Sequence, residues 1–335
     1  MFYDLIVKQR DIPMKMLKTE ALNRRVDDHH RMKSLIEQHY LNFRAGYNGE
    51  KAIDFYLRFL NPDTYQILHN VRIPDRNNFF QMDTLILTKH FILIVEVKNY
   101  YQEIVYDEMG QAYRNIGGVE EGYSNHVEQV LLQKRRLSDW LLKHRFPQPP
   151  IETLVVFTNP KTIIKNLAHD PLITETVIQK EKLLSKIEYF TAKHQIKLLN
   201  RNQLNKITAN LKDQHTPESV DVLKKYNVST HELKLGVFCP KCDTNTMYRN
   251  HGKWTCANCG GHSKNAHVAA LKDYYLLIGD QINNRQARFF LKVNSVHMMK
   301  QLLQKEKLKM IGVTSARRYF LDYTNAKDWA LSTKE

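Results

Sequence analysis

Two apolar runs separated by Lys89-His90 constrain this chain more than any other feature. FQMDTLILT, 80–88, and HFILIVEVKNY, 90–100, each have the composition and bounds of a buried strand. The second run carries five apolar side chains and then turns polar, placing Glu96 and Lys98 on one face because side chains alternate along a strand. If Lys89-His90 is a two-residue loop, antiparallel pairing sets Leu87 opposite Ile92 and Asp83 opposite Glu96. A three-residue loop would set Asp83 opposite Val95 and turn it to the other face. Lys-His is poor chemistry for a tight primed turn, which favours Asn-Gly or Gly. In the first register two carboxylates face each other and repel unless a cation lies between them. Mg²⁺ meets that need, since it takes one or two carboxylates together with water and phosphate oxygens. An ammonium beside it can hold a phosphate oxygen or the attacking water and stabilise developing negative charge. The charged end of the pair is therefore suited to phosphodiester hydrolysis. The plain alternative is an exposed Glu-x-Lys ion pair at a strand end.

The flanking sequence supplies a context of alternating helices and strands. From Met32 to Leu60 the apolar spacing is helical, with an expected break near Gly46 and Gly49. TYQILHNVRI, 64–73, reads as a strand before the pair. Residues 107–122 read as a polar stretch. HVEQVLLQKRRLSDWLLKH, 126–144, is an amphipathic helix with Val127, Val130, Leu131, Leu137, Leu141 and Leu142 on its apolar side. FPQPP stops it, and IETLVVFTN, 151–159, has the pattern of a buried strand. Residues 174–198 add a weaker strand and a helix. The order is αβββαβ.

GYNGEKAIDFYL, QMDTLIL, FILIVEVKNY and NHVEQVLLQKRRL, taken in this order, resemble the successive blocks of the nuclease-related domain, a family of the PD-(D/E)xK nuclease-like superfamily. The resemblance covers roughly residues 35–160. It implies an α/β, restriction-endonuclease-like core and a metal-binding and catalytic set at Asp83, Glu96 and Lys98, with the Val97 carbonyl as a further metal ligand. It also matches Glu50, just after the two glycines, to the acidic residue of the first helix, and Gln129 to the glutamine of the later helix. The later block has Asn125-His126 where the family often has Asn-Pro. On physical grounds alone, Glu50 is also a favourable early-turn acid for a helix dipole, and Gln129 an ordinary surface residue.

The only four cysteines, Cys239, Cys242, Cys256 and Cys259, form C-x₂-C, thirteen residues, C-x₂-C. Each Cys-x-x-Cys turn presents two thiolates, and four thiolates close a tetrahedral Zn²⁺ site that is structural rather than catalytic. The segment between them is expected to be a hairpin turning at His251-Gly252, with Gly260-Gly261 tightening the second turn. His251, His262 and His267 are expected to be bystanders. Lys241, Arg249 and Lys253 are candidate nucleic-acid contacts of this ribbon. Beyond it, the sequence is basic and mostly helical. Asn283-Asn284 are expected to cap RQARFFL, and Asn294-Ser295 to cap VHMMKQLLQKEKL. Two short helices and a tight turn suggest a helix-turn-helix with ARRYFLDY as the wing of a winged version. That geometry would bring Ser295, His297 and Lys300 near bases and Arg285, Arg288, Arg317 and Arg318 onto phosphates.

The layout this predicts is an arm at 1–30, a nuclease-related domain at 31–199, a helical linker at 200–235, a zinc ribbon at 236–263 and a winged-helix-like basic domain at 264–335. The chain has 335 residues with 50 Lys+Arg against 35 Asp+Glu, a formal charge of +15, which favours polyanions. No apolar run approaches the ~20 residues that span a bilayer, and no signal peptide or lipidation motif is apparent. Cysteines confined to one short segment suit a reducing cytoplasm. The expected activity is a Mg²⁺- or Mn²⁺-dependent nuclease acting on nucleic acid, DNA before RNA, with structural Zn²⁺. The rival is a nucleic-acid-binding protein whose nuclease-like core is silent. A homodimer would suit paired cuts, though no dimerisation helix is evident.

Overall fold

The computed structural model describes residues 4–76, 78–313, 316–323 and 329. The chain divides into two compact units. One joins the residues up to Asp11 with Arg44–Glu218, and the other joins Ile12–Phe43 with the residues from Ser219 onward.

The first unit opens with β1 (Ile6–Lys8). The helix α1 (Met14–Arg25) belongs to the second unit, and α2 (Lys33–Ala52) enters the first from Arg44. Then come α3 (Asp54–Leu57), β2 (Gln66–Asp75), β3 (Asn78–Leu87), β4 (Ile92–Lys98), β5 (Glu103–Tyr106), β6 (Ala112–Ile116) and β7 (Val119–Tyr123). The rest is α4 (His126–Lys143), β8 (Ile151–Phe157), β9 (Ile163–Asn166), α5 (Pro171–Thr176), β10 (Val177–Gln179), α6 (Leu183–Lys193) and α7 (Arg201–Asp213). The main sheet runs β1-β2-β3-β4-β8-β10. Its β2-β3-β4 meander is antiparallel, while β1 joins β2, β8 joins β4 and β10 joins β8 in parallel. A second sheet, β7-β6-β5-β9, takes its β6-β7 hairpin from the stretch expected to be polar and its other two strands from either side of α4 and β8. Its strands are short and its β6-β7 hairpin is exposed, so they carry little apolar periodicity.

The strand faces sort the core. Leu85, Leu87, Ile92 and Ile94 pack with Leu137, Trp140 and Leu141 of α4 and with Leu204, Ile207 and Leu211 of α7. Ile86, Leu93, Val95 and Val97 pack on the other side with Ile53 and Leu57 and with Leu183, Ile187 and Phe190 of α6. Helix α7 was expected to lie in a linker; its three apolar residues instead cover the main sheet, since one helical stripe must be buried somewhere. Leu142, expected on the apolar side of α4, is exposed, and the buried seam carries Gln133 and Trp140 instead.

The two glycines of α2 do not break it. The helix runs through both, and the break comes after Ala52. At Gly49 an added Cβ would lie 2.5 Å from Cβ of Asn99 and 2.9 Å from Oγ1 of Thr158. The glycine is thus the condition for α2 to approach the ends of β4 and β8 closely, and Glu50 follows it there.

The β3-β4 connection answers the turn problem. The pairs are Leu87 with Ile92 and Thr84 with Val95, the register of a two-residue loop. None of residues 88–91 has positive φ, so the turn is not of the primed kind. Thr88 replaces that chemistry: its Oγ1 accepts from the N–H of His90 at 3.0 Å and of Phe91 at 2.9 Å.

The second unit continues with α8 (Val222–Lys225), β11 (Met247–Asn250), β12 (Lys253–Cys256), β13 (His262–Ser263), α9 (Ala266–Leu277), β14 (Gln281–Asn283), α10 (Asn284–Leu291), α11 (Val296–Lys305), β15 (Met310–Ile311) and β16 (Arg318–Phe320). β11-β12-β13 form one antiparallel sheet and β14-β16-β15 another. ARRYFLDY, expected to be the wing, supplies the strand β16. The sequence divides ribbon and helical tail, but Val237, Met247 and Trp254 share one apolar cluster with Leu271, Phe290, Met299 and Leu303. A ribbon of three short strands cannot bury a core alone. α1 packs on α8 and α9 through Leu17, Leu22, Tyr226 and Leu277. Buried Asp273 of α9 accepts from Nε of buried Arg25 at 2.7 Å and also pairs with Arg24. The 1–30 segment is therefore split between the units rather than forming one arm. The end of the expected tail domain, apart from Trp329, lies outside the described residues beyond 323. Among the described residues no helix is long and apolar enough to cross a membrane.

Two buried histidines make the first unit acid-sensitive. His126 opens α4 with its Nδ1 2.9 Å from Oη of Tyr106, and burial lowers its pKa to about 3; His69 is lowered to about 3 likewise. The unfolded chain protonates each near pH 6.5, so between that value and about 3 the unfolded state binds the extra proton. Each histidine's contribution to stability is full above about pH 6.5 and falls as pH drops, by at most about 1.4 kcal/mol per pH unit, while the raised carboxyls of Asp83 and Glu50 act in the opposite sense. In urea melts between pH 4.5 and 7, His126→Gln is expected to lose less stability on acidification than wild type, by about one histidine's share.

Candidate active site and metal centre

The β3-β4 ladder ends at the Thr84–Val95 pair. One residue beyond, the side chain of Asp83 takes over as acceptor, with its Oδ2 3.0 Å from the N–H of Val97. Alternation from Ile92 and Ile94 on β4 puts Glu96 and Lys98 on the α4 side of the sheet, whereas on β3 the alternation breaks around Asp83, since Met82 shares the cluster of Leu85 and Leu87, and the Asp83 carboxylate is placed by its bond to Val97. Glu96 is 4% exposed. Its Oε1 accepts from Nζ of Lys98 at 2.8 Å and Nε2 of Gln129 at 2.7 Å, and its Oε2 from Nε2 of Gln133 at 2.9 Å. Lys98 also donates to Oε1 of Gln129 at 3.0 Å. Gln129 therefore donates to the carboxylate with one end of its amide and accepts from the ammonium with the other. Gln133 donates also to the carbonyl of Gln81 at 3.0 Å, which ties α4 to β3.

Glu50 enters from α2. Its Oε2 accepts from Nδ2 of Asn70 at 2.6 Å and from a terminal nitrogen of Arg10 at 2.8 Å. The electrostatics follow from the crowding. Burial, then the charges of Glu96 and Glu50, raises the Asp83 carboxyl well above the carboxylate range. Burial also raises Glu50, against the opposing effect of Asn70 and Arg10. At Lys98 burial lowers the pKa, but the Glu96 carboxylate more than offsets it and the net shift is upward, so the group stays an ammonium. A site with several carboxylates sharing too little positive charge fits a divalent cation, whose charge would relieve the mutual repulsion. Glu96 uses three of about four acceptor positions, leaving one. Among the described residues only the cysteines bring three or more candidate ligand atoms within 4.8 Å of one another, so the three carboxylates are more widely spaced than that. Mg²⁺ is bound through one or two carboxylates with water, not by a full protein cage.

The second constellation is compact. Sγ atoms of Cys239 and Cys259 are 3.8 Å apart, and those of Cys242 and Cys256 3.6 Å. A tetrahedron with Zn–S bonds of about 2.3 Å has edges of about 3.8 Å, so the donor set fits zinc. The turns are built alike: the N–H of Asp243 donates to the carbonyl of Cys239 at 2.9 Å, and that of Gly260 to Cys256 at 3.0 Å, both donors with positive φ. His251 and Gly252 both have positive φ in the hairpin turn between Asn250 and Lys253. Hydroxyls of Thr246 and Thr244 lower the Cys256 thiol to about 5, and Thr244 lowers Cys242 to about 7. At Cys259 the N–H of Gly261 favours the thiolate, but the three neighbouring sulfurs together push the thiol up to about 11. Without a cation four thiolates cannot all ionise, and a divalent ion removes that conflict. His267 is engaged elsewhere, with Trp254 and Glu306, and His262 with Thr255.

In the tail, Ser295 caps α11 by accepting from the N–H of Met298 at 3.2 Å, and Asn283 caps α10 in a capping box. Arg285, Ser295, His297, Lys300 and Arg318 are exposed and Arg317 is half-buried. Arg288 is spent on the turn itself, donating to Oδ1 of Asn284 and to the carbonyl of Asn294. In the ribbon, Arg249 donates to the carbonyl of Gly252 and lies over the Trp254 ring, while Lys241 and Lys253 are exposed.

Sequence reasoning missed Gln133, Asn70 and Arg10. A signal existed for Gln133, which falls in the buried i, i+3, i+4 register of α4, where a polar side chain needs a partner. Asn70 and Arg10 have no comparable local mark.

Residues 45–158 match the family model described as nuclease-related domain. No curated protein and no solved structure matches the chain. The cysteine cluster and the tail lie outside the matched segment.

If the four thiolates hold zinc, the protein as isolated is expected to carry one Zn²⁺ per chain, measured by metal analysis. Cys256→Ser is expected to lose that metal and to lower the melting temperature of the second unit, because structural zinc supplies folding free energy.

Proposed function

We propose that this chain, which carries a nuclease-related domain over residues 45–158, is a metal-dependent nuclease that hydrolyses phosphodiester bonds of DNA. The observation that carries the reading is the Glu96 carboxylate: buried, clamped by Lys98, Gln129 and Gln133, and set beside Asp83 where the strand ladder opens. A buried ion pair of this kind costs desolvation and is weak support for stability. Its persistence at the polar rim of an apolar sheet is what a reactive site requires.

Asp83, Glu96 and the Val97 carbonyl would hold Mg²⁺ or Mn²⁺, which when bound supplies Lewis-acid stabilisation of charge on the phosphoryl oxygens. Lys98, kept protonated by Glu96, is a donor and not a base; it orients the attacking water or a phosphate oxygen and stabilises negative charge as it develops. Gln129 fixes the aim of Lys98 by accepting from it while donating to the same carboxylate. Glu50 adds a supporting carboxylate from α2.

Substrate targeting falls to the second unit. Its order α9-β14-α10-α11-β15-β16, with β16 between β14 and β15, is the order a winged helix-turn-helix needs. In that reading α11 is the groove-entering helix, with Ser295, His297 and Lys300 exposed near its start and Arg285, Arg317 and Arg318 available for phosphates. Arg288 keeps the turn in shape instead. The zinc ribbon supports this body through their common core, and a reducing cytoplasm would keep its thiolates available.

Plasmid incubated with Mg²⁺ is expected to be cut by the wild-type protein, and Lys98→Ala and Asp83→Ala are each expected to lose roughly 10²–10³-fold in rate. Absence of cutting by wild type, or cutting that survives both substitutions, leaves a nucleic-acid-binding protein with a silent core. For binding, log affinity for a DNA duplex is expected to fall linearly with log salt, and Lys300→Ala or Arg318→Ala to flatten the slope by about 1 each. Negligible binding at low salt would remove the DNA-targeting part of the reading.

A further inference from the structure

We infer that Arg10, far upstream of the matched nuclease-related segment, is a positioning residue for the Glu50 carboxylate, and that the metal-holding cluster is incomplete without the N-terminal strand. The inference rests on the nuclease reading for its purpose, but on separate geometry for its content.

Arg10 follows β1, which is zipped onto β2 by parallel pairing and by the N–H of Ile67 donating to the carbonyl of Leu5 at 2.8 Å. The chain thereby delivers the Arg10 side chain, 4% exposed, beneath the β2-β3 ladder. One terminal nitrogen donates to Oε2 of Glu50 at 2.8 Å and to the carbonyl of Asp83 at 3.4 Å. The other donates to Oδ1 of Asp54 at 3.0 Å and Oγ1 of Thr84 at 3.0 Å, and lies 2.8 Å from Nδ1 of His69. Nε reaches both oxygens of Asp54 at 3.3 and 3.4 Å. A guanidinium has five N–H groups, and these acceptors take them all. None is left for a phosphate, so Arg10 acts through its neighbours and not on substrate.

Its neighbours are also chosen for it. Nδ1 of His69 lies within hydrogen-bonding distance of both Arg10 and Oγ1 of Thr84, the latter at 3.1 Å, so the ring is part of the same cluster. Arg10 and Asn70 both fall on Oε2 of Glu50, which fixes the carboxylate's rotation and keeps both donors off Oε1. The carbonyl contact to Asp83 ties the same guanidinium to the backbone of the residue that opens the ladder. A planar fork does this where a lysine, a single point charge, would hold only one of the two acids.

The test uses the full chain with Arg10→Gln, Arg10→Lys, Glu50→Gln and the Arg10→Gln/Glu50→Gln double variant. Mn²⁺ binding is measured by calorimetry without substrate, alongside thermal melts and the Mg²⁺ concentration for half-maximal plasmid cutting. Arg10→Gln is expected to weaken Mn²⁺ binding roughly 10- to 100-fold, as loss of a ligand's supporting partner does. Arg10→Lys is expected to bind with intermediate affinity, and the double variant no worse than Glu50→Gln alone. Unchanged Mn²⁺ affinity in Arg10→Gln, or losses that multiply in the double variant, would overturn the inference. Should Arg10→Gln fail to fold, Arg10→Lys decides, and wild-type affinity in it is the overturning result. Wild-type protein that binds Mn²⁺ without cutting DNA refutes the nuclease reading while the Arg10 comparison still runs; wild type that binds no Mn²⁺ refutes both.

Discussion

A carboxylate placed inside an apolar sheet is unstable unless something else in the fold supplies donors, and Glu96 is such a carboxylate. Its donors come from its own strand and from α4, through Lys98, Gln129 and Gln133. This arrangement requires three things at once. The alternation of β4 must put Glu96 on the α4 face, α4 must cross at the height where its polar residues 129 and 133 meet the carboxylate, and its apolar residues must still cover Leu85, Leu87, Ile92 and Ile94. The same helix face therefore serves packing along one part and chemistry along another.

The opening of the ladder gives this region its character. Main-chain pairing continues up to Thr84 and Val95, after which a side-chain oxygen replaces a carbonyl as the acceptor. On the other face, Thr84 and His69 sit across the β2-β3 ladder and both meet Arg10. Asp83 joins the two polar clusters, its side chain accepting from Val97 and its carbonyl from Arg10. Gly49 allows the third contributor, α2, to come within reach.

In the second unit the organising constraint is size. A ribbon of three short strands holds too little apolar surface for a core, and it meets the shortage in two ways. Its Trp254 and Met247 join the cluster of α9, α10 and α11, and its four sulfurs have the spacing of one tetrahedral metal site. The buried pairing of Arg25 with Asp273 anchors α1 to that body, so residues near the start of the chain complete a domain that lies mostly near its end.

Local pattern was sufficient for the elements whose signal is periodic or fixed by spacing. The meander strands, α4, the two Cys-x-x-Cys turns and the caps at Asn283 and Ser295 follow from alternation, helical repeat and short-range hydrogen bonding, all of which are properties of neighbouring residues. The register that sets Leu87 opposite Ile92 was one of two, and it is accompanied by a turn in which Thr88 accepts from the N–H groups of His90 and Phe91. What local pattern does not contain is contact between distant segments. Arg10 beside Glu50, α7 covering the main sheet, and one core shared by ribbon and tail each depend on residues far apart in the chain. The short strands of the second sheet likewise owe their pairing to partners such as β5 and β9. Sequence determined which segments had a face to bury or a charge to satisfy; only the tertiary structure decided against what, because burial and hydrogen bonding are satisfied by whichever surface the folded chain brings near.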